Sequence, residues 1–200
     1  MNGYLDFIIE PLNGTSTGKI SIEGQELILN TEIENHNYVS RIGVVISEPY
    51  SNDTGISVGD QVIVHHNVFR RFKDIRGQEK NSKSYYDDNL YFVQLDQVYA
   101  YKKASKEWSA CKGFNFIKPI KEDKMFSTEF EKPLVGVLKI KDKDLDTLKE
   151  GDLIGFSPSS EYEFIIGTDR LYRVPTTSIT IKYEYKGNEE EYNPSWTGCR

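Results

Sequence analysis

The stretch Ser57-Val-Gly-Asp-Gln-Val-Ile-Val64 decides how the chain is read, because a close relation returns as Lys149-Glu-Gly-Asp-Leu-Ile-Gly-Phe156. In both, a Gly-Asp pair precedes apolar residues. Gly tolerates positive φ and Asp bonds to nearby backbone amides, so the pair predicts a tight turn feeding a strand. One such turn is common in β-proteins. What matters is whether its surroundings also recur.

They do. Phe114-Asn-Phe-Ile-Lys-Pro-Ile120 lines up with Asp6-Phe-Ile-Ile-Glu-Pro-Leu12, placing Pro119 over Pro11. Leu134-Val-Gly-Val-Leu-Lys-Ile140 lines up with Arg41-Ile-Gly-Val-Val-Ile-Ser47, placing Gly136 over Gly43. Gly43 to Gly59 is 16 positions and Gly136 to Gly151 is 15. Asp88-Asn-Leu-Tyr-Phe-Val93 matches Asp169-Arg-Leu-Tyr-Arg-Val174, and Val98 matches Ile179. Landmarks in one order at near-equal spacing mark a duplication. Each copy carries short strands between Gly- and Pro-marked turns, and helix is nearly absent apart from one possible turn in Asp142–Glu150. The expected fold is all-β, two tandem small antiparallel barrels. Residues 1–103 form the first, with a long loop at 13–40; 104–113 are a linker; 114–185 form the second, shorter barrel; 186–200 are a flexible acidic tail. By period-two alternation Val62, Val64, Ile154 and Phe156 point into the barrels, while Ile63 and His65 point away.

The copies differ in loop length. Pro11 to Gly43 spans 32 positions against 17 from Pro119 to Gly136, and Gly59 to Leu90 spans 31 against 20 from Gly151 to Leu171. Insertions that leave a strand frame intact lie at the surface, where function tends to sit. The first copy is therefore the elaborated one. Within its first loop, Lys19-Ile-Ser-Ile22 and Leu27-Ile-Leu29 flank Glu23-Gly24 like the arms of a hairpin; the second, Lys73 to Lys83, reads as a charged loop.

Composition narrows the classes of function. The 200 residues carry a formal charge of −6, against the basic face that a general nucleic-acid binder needs. No apolar run reaches the length of a membrane span, and the N-terminus lacks a basic region and an apolar signal core. Two distant cysteines, Cys111 and Cys199, argue against a disulfide framework and for a reducing cytoplasm. No nucleophile elbow, phosphate loop or dinucleotide fingerprint occurs. The expectation is a protein without enzymatic activity, cofactor or small-molecule substrate.

The ordered landmarks resemble a GroES-type co-chaperonin (chaperonin-10). They are a strand ending in Pro-Leu, a long loop with an apolar tripeptide, Gly-Val-Val-Ile, Val-Gly-Asp-Gln-Val-Ile, and Leu-Tyr-Phe-Val…Val-Tyr-Ala-Tyr. The match is best over Phe7–Lys102 and weaker over Phe114–Tyr183. Tandem modules of this kind occur in chloroplasts and divergent ones in bacteriophages; the absence of a transit-like N-terminus points to the latter. The resemblance implies a homo-oligomeric ring that caps a GroEL-type chaperonin in the host cytoplasm. It also implies that Leu27, Ile28 and Leu29 dock on the chaperonin as the apolar tripeptide of a mobile loop. Two departures stand out. Gly24-Gln25-Glu26 replaces the usual Gly-Gly-Ile-type run, so the segment fits an ordered edge hairpin equally well. The second copy's loop has Met125, Phe126 and Phe130 instead of an aliphatic triplet.

Other side chains carry less. His65 and His66, as strand neighbours, are expected to diverge and not to share a metal ion. Arg70-Arg71 between Phe69 and Phe72 reads as a solvated strand end, and Cys111 as a linker thiol. Two further functions stay open: a structural assembly protein, such as a phage virion component, that reuses the barrel, and an oligonucleotide-binding barrel, which the acidic charge disfavours.

Overall fold

The computed structural model describes residues 3–12, 14, 41–104, 106–122, 131–184, 187 and 189–192, together with the backbone of 19–22 and 25–28. Among these residues there are sixteen β-strands and no α-helix. The chain divides into two compact units, Met1–Glu107 and Trp108–Arg200. The first holds β1 (Phe7–Pro11), β2 (Lys19–Ile22), β3 (Gln25–Ile28), β4 (Ile42–Ser47), β5 (Gln61–Val64), β6 (Arg71–Lys73), β7 (Glu79–Asn81), β8 (Tyr91–Val93) and β9 (Val98–Lys102). The second holds β10 (Ser109–Ala110), β11 (Phe114–Lys121), β12 (Glu131–Ile140), β13 (Leu153–Phe156), β14 (Tyr162–Ile166), β15 (Asp169–Pro175) and β16 (Ile179–Lys182).

The duplication recurs in the topology. The order is β9-β5-β4-β1-β8 in the first unit and β16-β13-β12-β11-β15 in the second, strand for strand the same and antiparallel throughout. Register agrees as well. Pro11 faces Gly43, which faces Val62; Pro119 faces Gly136, which faces Ile154. A bulge interrupts β1 at Ile8/Ile9 and β11 at Phe116/Ile117, and another lies at Ile63/Val64 and at Gly155/Phe156. A 3-10 turn leads into the last strand each time, at Leu95–Gln97 and Thr176–Ser178. Among the described residues neither sheet closes into a barrel.

The Gly-Asp turns have a shared construction. Asp60 N–H donates to Ser57 O and Asp152 N–H to Lys149 O, both at 3.0 Å. Gly59 and Gly151 stand at φ 88° and 93°. This is a type II turn, whose third residue needs positive φ. The Asp carboxylate then accepts the N–H of the turn's first residue at 2.8 Å in both copies. At Asp152 the Lys182 ammonium adds to that bond, and together they hold the carboxyl below its ordinary range.

Alternation holds on one face and fails as a statement about solvent on the other. Val62, Val64, Ile154 and Phe156 are buried as expected, but Ile63 is also only 1% exposed. The second unit shows how this arises. Ile117, Leu138, Ile154, Phe156 and Val174 gather on one side with Leu148, while Ile120, Val135, Val137 and Leu153 form a separate cluster. Both faces of the central strands are covered, so the polar-out half of the pattern is lost. Asp142–Glu150 forms turns instead of a helix, and Leu148 from this segment packs in the core. The tail also departs from expectation. Lys121 N–H donates to Glu190 O, and Tyr192 N–H to Pro119 O, both at 2.8 Å, so Glu190–Tyr192 continue the ladder along β11 beyond the last β15 pair.

Candidate functional site

The first unit's insertions are the features that the second copy lacks. The longer one begins after Pro11 faces Gly43 and Leu12 N–H donates to Ile42 O at 3.0 Å, so the loop 13–40 leaves and re-enters the sheet at one place. In the second unit the ladder instead runs on, through a bulge, to Lys121 facing Glu131. Inside the first loop β2 and β3 pair antiparallel, Ile20 opposite Leu27 and Lys19 opposite Ile28. They form a two-stranded sheet of their own. Of the three predicted docking residues, Leu27 and Ile28 therefore lie on a paired strand, and Leu29 lies outside the described residues. The second copy's Met125, Phe126 and Phe130 also lie outside them.

The other insertion is a hairpin that the sequence conceals. In the second unit β14 and β15 meet at a two-residue turn, Gly167-Thr168. In the first, Phe92 N–H donates to Ser84 O and Tyr86 N–H to Leu90 O, so the segment at 84–86 takes the β14 position. The three residues 87–89 connect it to Leu90, whose N–H donates to Asp87 O at 2.7 Å, with Asp88 and Asn89 at φ 43° and 67°, the positive-φ pair of a type I′ turn. The segment 70–82 is thus surplus to the shared frame. β6 and β7 pair within it, every strand residue exposed. Asp74 organises the tip: its carboxylate accepts the N–H groups of Arg76 at 2.8 Å and Gln78 at 2.9 Å, and its carbonyl accepts that of Gly77. Arg71 pairs with Glu79 and Lys80 with Asp74. Ile75 stands on this tip 103% exposed.

The same unit carries an open apolar surface. A groove of about 390 Å³ is lined by Gly3, Tyr4, Leu5, Asp6, Tyr86 and Phe92, beside Ile8. Tyr50 N–H donates to Gly3 O and Ser51 N–H to Tyr4 O, which fixes the N-terminal segment in place. A second opening of about 450 Å³ lies around Tyr50 of this clip, among Ile46, Glu48, Asp53 and Val58. Among the described residues, three carboxylates and no Lys or Arg line the two openings.

Side chains with chemical potential elsewhere are already engaged. His65 and His66 do not diverge, because β5 ends at Val64 and the following turn stacks the rings at 4.2 Å. His65 Nδ1 accepts the Asn67 N–H at 3.0 Å, which commits that nitrogen. No group of three metal-ligating side chains occurs among the described residues. Burial pushes the Cys111 thiol up to about 12, far from the thiolate a nucleophile needs. In the second unit Arg170 is held by Glu163 and Glu131, both at 2.8 Å, and by the Tyr172 hydroxyl, with the Tyr192 ring 5.4 Å away. Burial first, and the Glu131 charge second, push the Tyr172 hydroxyl above its ordinary range. Lys118 is buried against Asp169 at 2.6 Å. Charges paired in this way tie β11, β12, β14 and β15 together. No helix among the described residues is long and apolar enough to cross a membrane.

Sequence reasoning located both insertions by their spacing, but missed the hairpin within the second and the groove. Comparison with protein-family models gives no match, and comparison with curated proteins gives none.

Proposed function

We propose that the chain is a non-enzymatic co-chaperonin of the GroES type, acting in the cytoplasm. Its two sheets are the walls of tandem barrels, and copies assemble into a ring that caps a GroEL-type chaperonin. The observation that supports this is the shared frame of five strands, with one long loop leaving and re-entering beside the Pro11–Gly43 pair in the first copy. The strand and turn landmarks that carry the resemblance occupy equivalent register positions in both copies, whereas the apolar tripeptide belongs to the first copy alone. Leu27, Ile28 and Leu29 on that loop are the docking residues.

The physics fits a reversible cap. Burying three aliphatic side chains offers about 1.5–3 kcal/mol each, and ordering a long loop consumes part of it. One loop binds weakly; several on a ring bind together at high effective concentration, and release follows when the sites are lost together. Deleting Gly24–Asn30 tests the assignment. The deletion should abolish binding to a nucleotide-loaded chaperonin while both units keep their unfolding transitions.

The paired backbone of β2 and β3 favours a second reading, in which the hairpin is a fixed edge element of a structural assembly protein such as a virion component. Unchanged chaperonin binding in the deletion variant, or stoichiometric presence in purified particles without any chaperonin contact, selects that reading.

A further inference from the structure

We propose that the β6–β7 hairpin is a self-assembly plug: its tip, Ile75 with Phe72 behind it, seats in the Tyr4–Leu5–Tyr86–Phe92 groove of a second copy of this chain. The inference rests on the ring reading above and names a contact within it.

Three observations converge. The hairpin is an insertion on a frame that the second unit completes without one, so the fold does not require it. Its tip is built to hold one shape, through the Asp74 carboxylate and the Arg71–Glu79 pair, yet that shape displays an isoleucine wholly in water. Full exposure of Ile75 also excludes the groove of its own copy as its seat. The groove, for its part, leaves Tyr4 70% and Leu5 58% exposed.

Charge identifies the occupant. Residues 70–83 hold six Lys or Arg against two carboxylates, a net +4, in a chain of −6, so the remainder carries −10. Among the described residues the groove is lined by Asp6, and the opening around Tyr50 by Glu48 and Asp53, with no Lys or Arg at either. A basic plug with an apolar tip therefore finds an acidic, aromatic receptor on every other copy, and like-charged approaches of groove to groove or tip to tip are disfavoured. Because plug and socket are different surfaces, the contact is heterologous, the kind from which rings close.

Two full-length variants, Ile75→Cys and Leu5→Cys, each with Cys199→Ser, are given different tags, mixed and oxidised. Cys111 stays in both as a slow bystander, its thiol held protonated. The contact predicts a mixed disulfide between the two variants, joining the hairpin tip of one to the groove of the other, in excess over both self-linked species. In parallel, Ile75→Asp, at a site with nothing packed on it, should weaken self-association about tenfold or more by sedimentation, and Tyr4→Asp should do the same. No excess of the mixed disulfide, or an Ile75→Asp chain that assembles like the parent, overturns the contact. Should Ile75→Asp keep the assembly but lose binding to vesicles rich in anionic lipid, the hairpin is a membrane element and the proposal is wrong. A parent chain that stays monomeric refutes the ring reading itself, whereas a ring indifferent to Ile75→Asp refutes only this contact.

Discussion

Gly136→Ala should destabilise the second unit although it adds one methyl group at a position with ordinary φ. A Cβ built on Gly136 lies 2.5 Å from the Lys118 carbonyl oxygen and 2.6 Å from Ile117 Cγ2. Both distances are roughly 1 Å short of a comfortable contact. The nearer atom is backbone, fixed by the pairs Lys118–Val137 and Pro119–Gly136, so relief requires β11 and β12 to part. Overpacking of this kind costs about 1–3 kcal/mol, and the lower chain entropy of Ala offsets about 0.4–1 kcal/mol of it. The net is about 1–2 kcal/mol, or ~5–15 °C in the midpoint of a unit of this size. Differential scanning calorimetry on the full chain should show one transition moved and the other unmoved. Gly43→Ala is the internal control: its Cβ meets Ile9 Cδ1 at 2.8 Å, Glu10 O at 2.9 Å and Phe69 Cζ at 3.1 Å. These approaches are 0.3 Å or more longer than the nearest one at Gly136, and the closest atom is a side-chain methyl and not backbone, so its cost should be smaller. A Gly136→Ala midpoint within about 2 °C of the parent, or above it, would refute the close approach of β11 and β12.

Arg170→Ala strands Glu163 and Glu131 beside one another and should cost about 3 kcal/mol in urea denaturation, more than Arg170→Met with Glu163→Gln combined. Asp142 sets an acid limit on the second unit. Burial alone would raise its carboxyl, but N–H groups of Gly113 and Asp144 and the Thr176 hydroxyl more than offset this and hold it below its ordinary 3.8. The folded value lies below the unfolded one, so the stabilisation is complete above pH 3.8 and is lost as pH falls through the folded value. Stability measured against pH should therefore bend downward below that point, and Asp142→Asn should flatten the bend while lowering stability at neutral pH. Asn89→Gly, at φ 67° in the type I′ turn, should stabilise the first unit by a few tenths of a kcal/mol, seen in calorimetry as a midpoint raised by about 1–3 °C.

How far the sequence carried these features depends on where each was encoded. The Pro11/Pro119, Gly43/Gly136 and Gly-Asp landmarks sit where local backbone needs are strict: close strand approach and positive φ. They therefore aligned the two copies to the residue, and the structure gives the aligned positions the same register, Val62 facing Gly43 and Ile154 facing Gly136. The β6–β7 hairpin was not, because both its strands are solvated on each face and so carry no period-two signal. The burial of Ile63 was not legible because alternation reports which face a residue takes and not whether that face is covered. The stacking of His65 on His66 depends on β5 stopping at Val64, one residue short of where the alternation runs. The Glu190–Tyr192 ladder joins residues some seventy positions apart in sequence, and nothing local in an acidic tail announces a partner on β11. The groove of Tyr4, Leu5, Tyr86 and Phe92 gathers side chains from separate segments, so only the fold brings it into view.

Native mass measurement of the intact chain, alone and with a GroEL-type chaperonin and ATP, bears most directly on the co-chaperonin proposal. The proposal predicts a closed oligomer of the chain alone and, with nucleotide, a complex of that oligomer with the chaperonin that the Gly24–Asn30 deletion abolishes. A chain that remains monomeric at micromolar concentration and forms no nucleotide-dependent complex would contradict it.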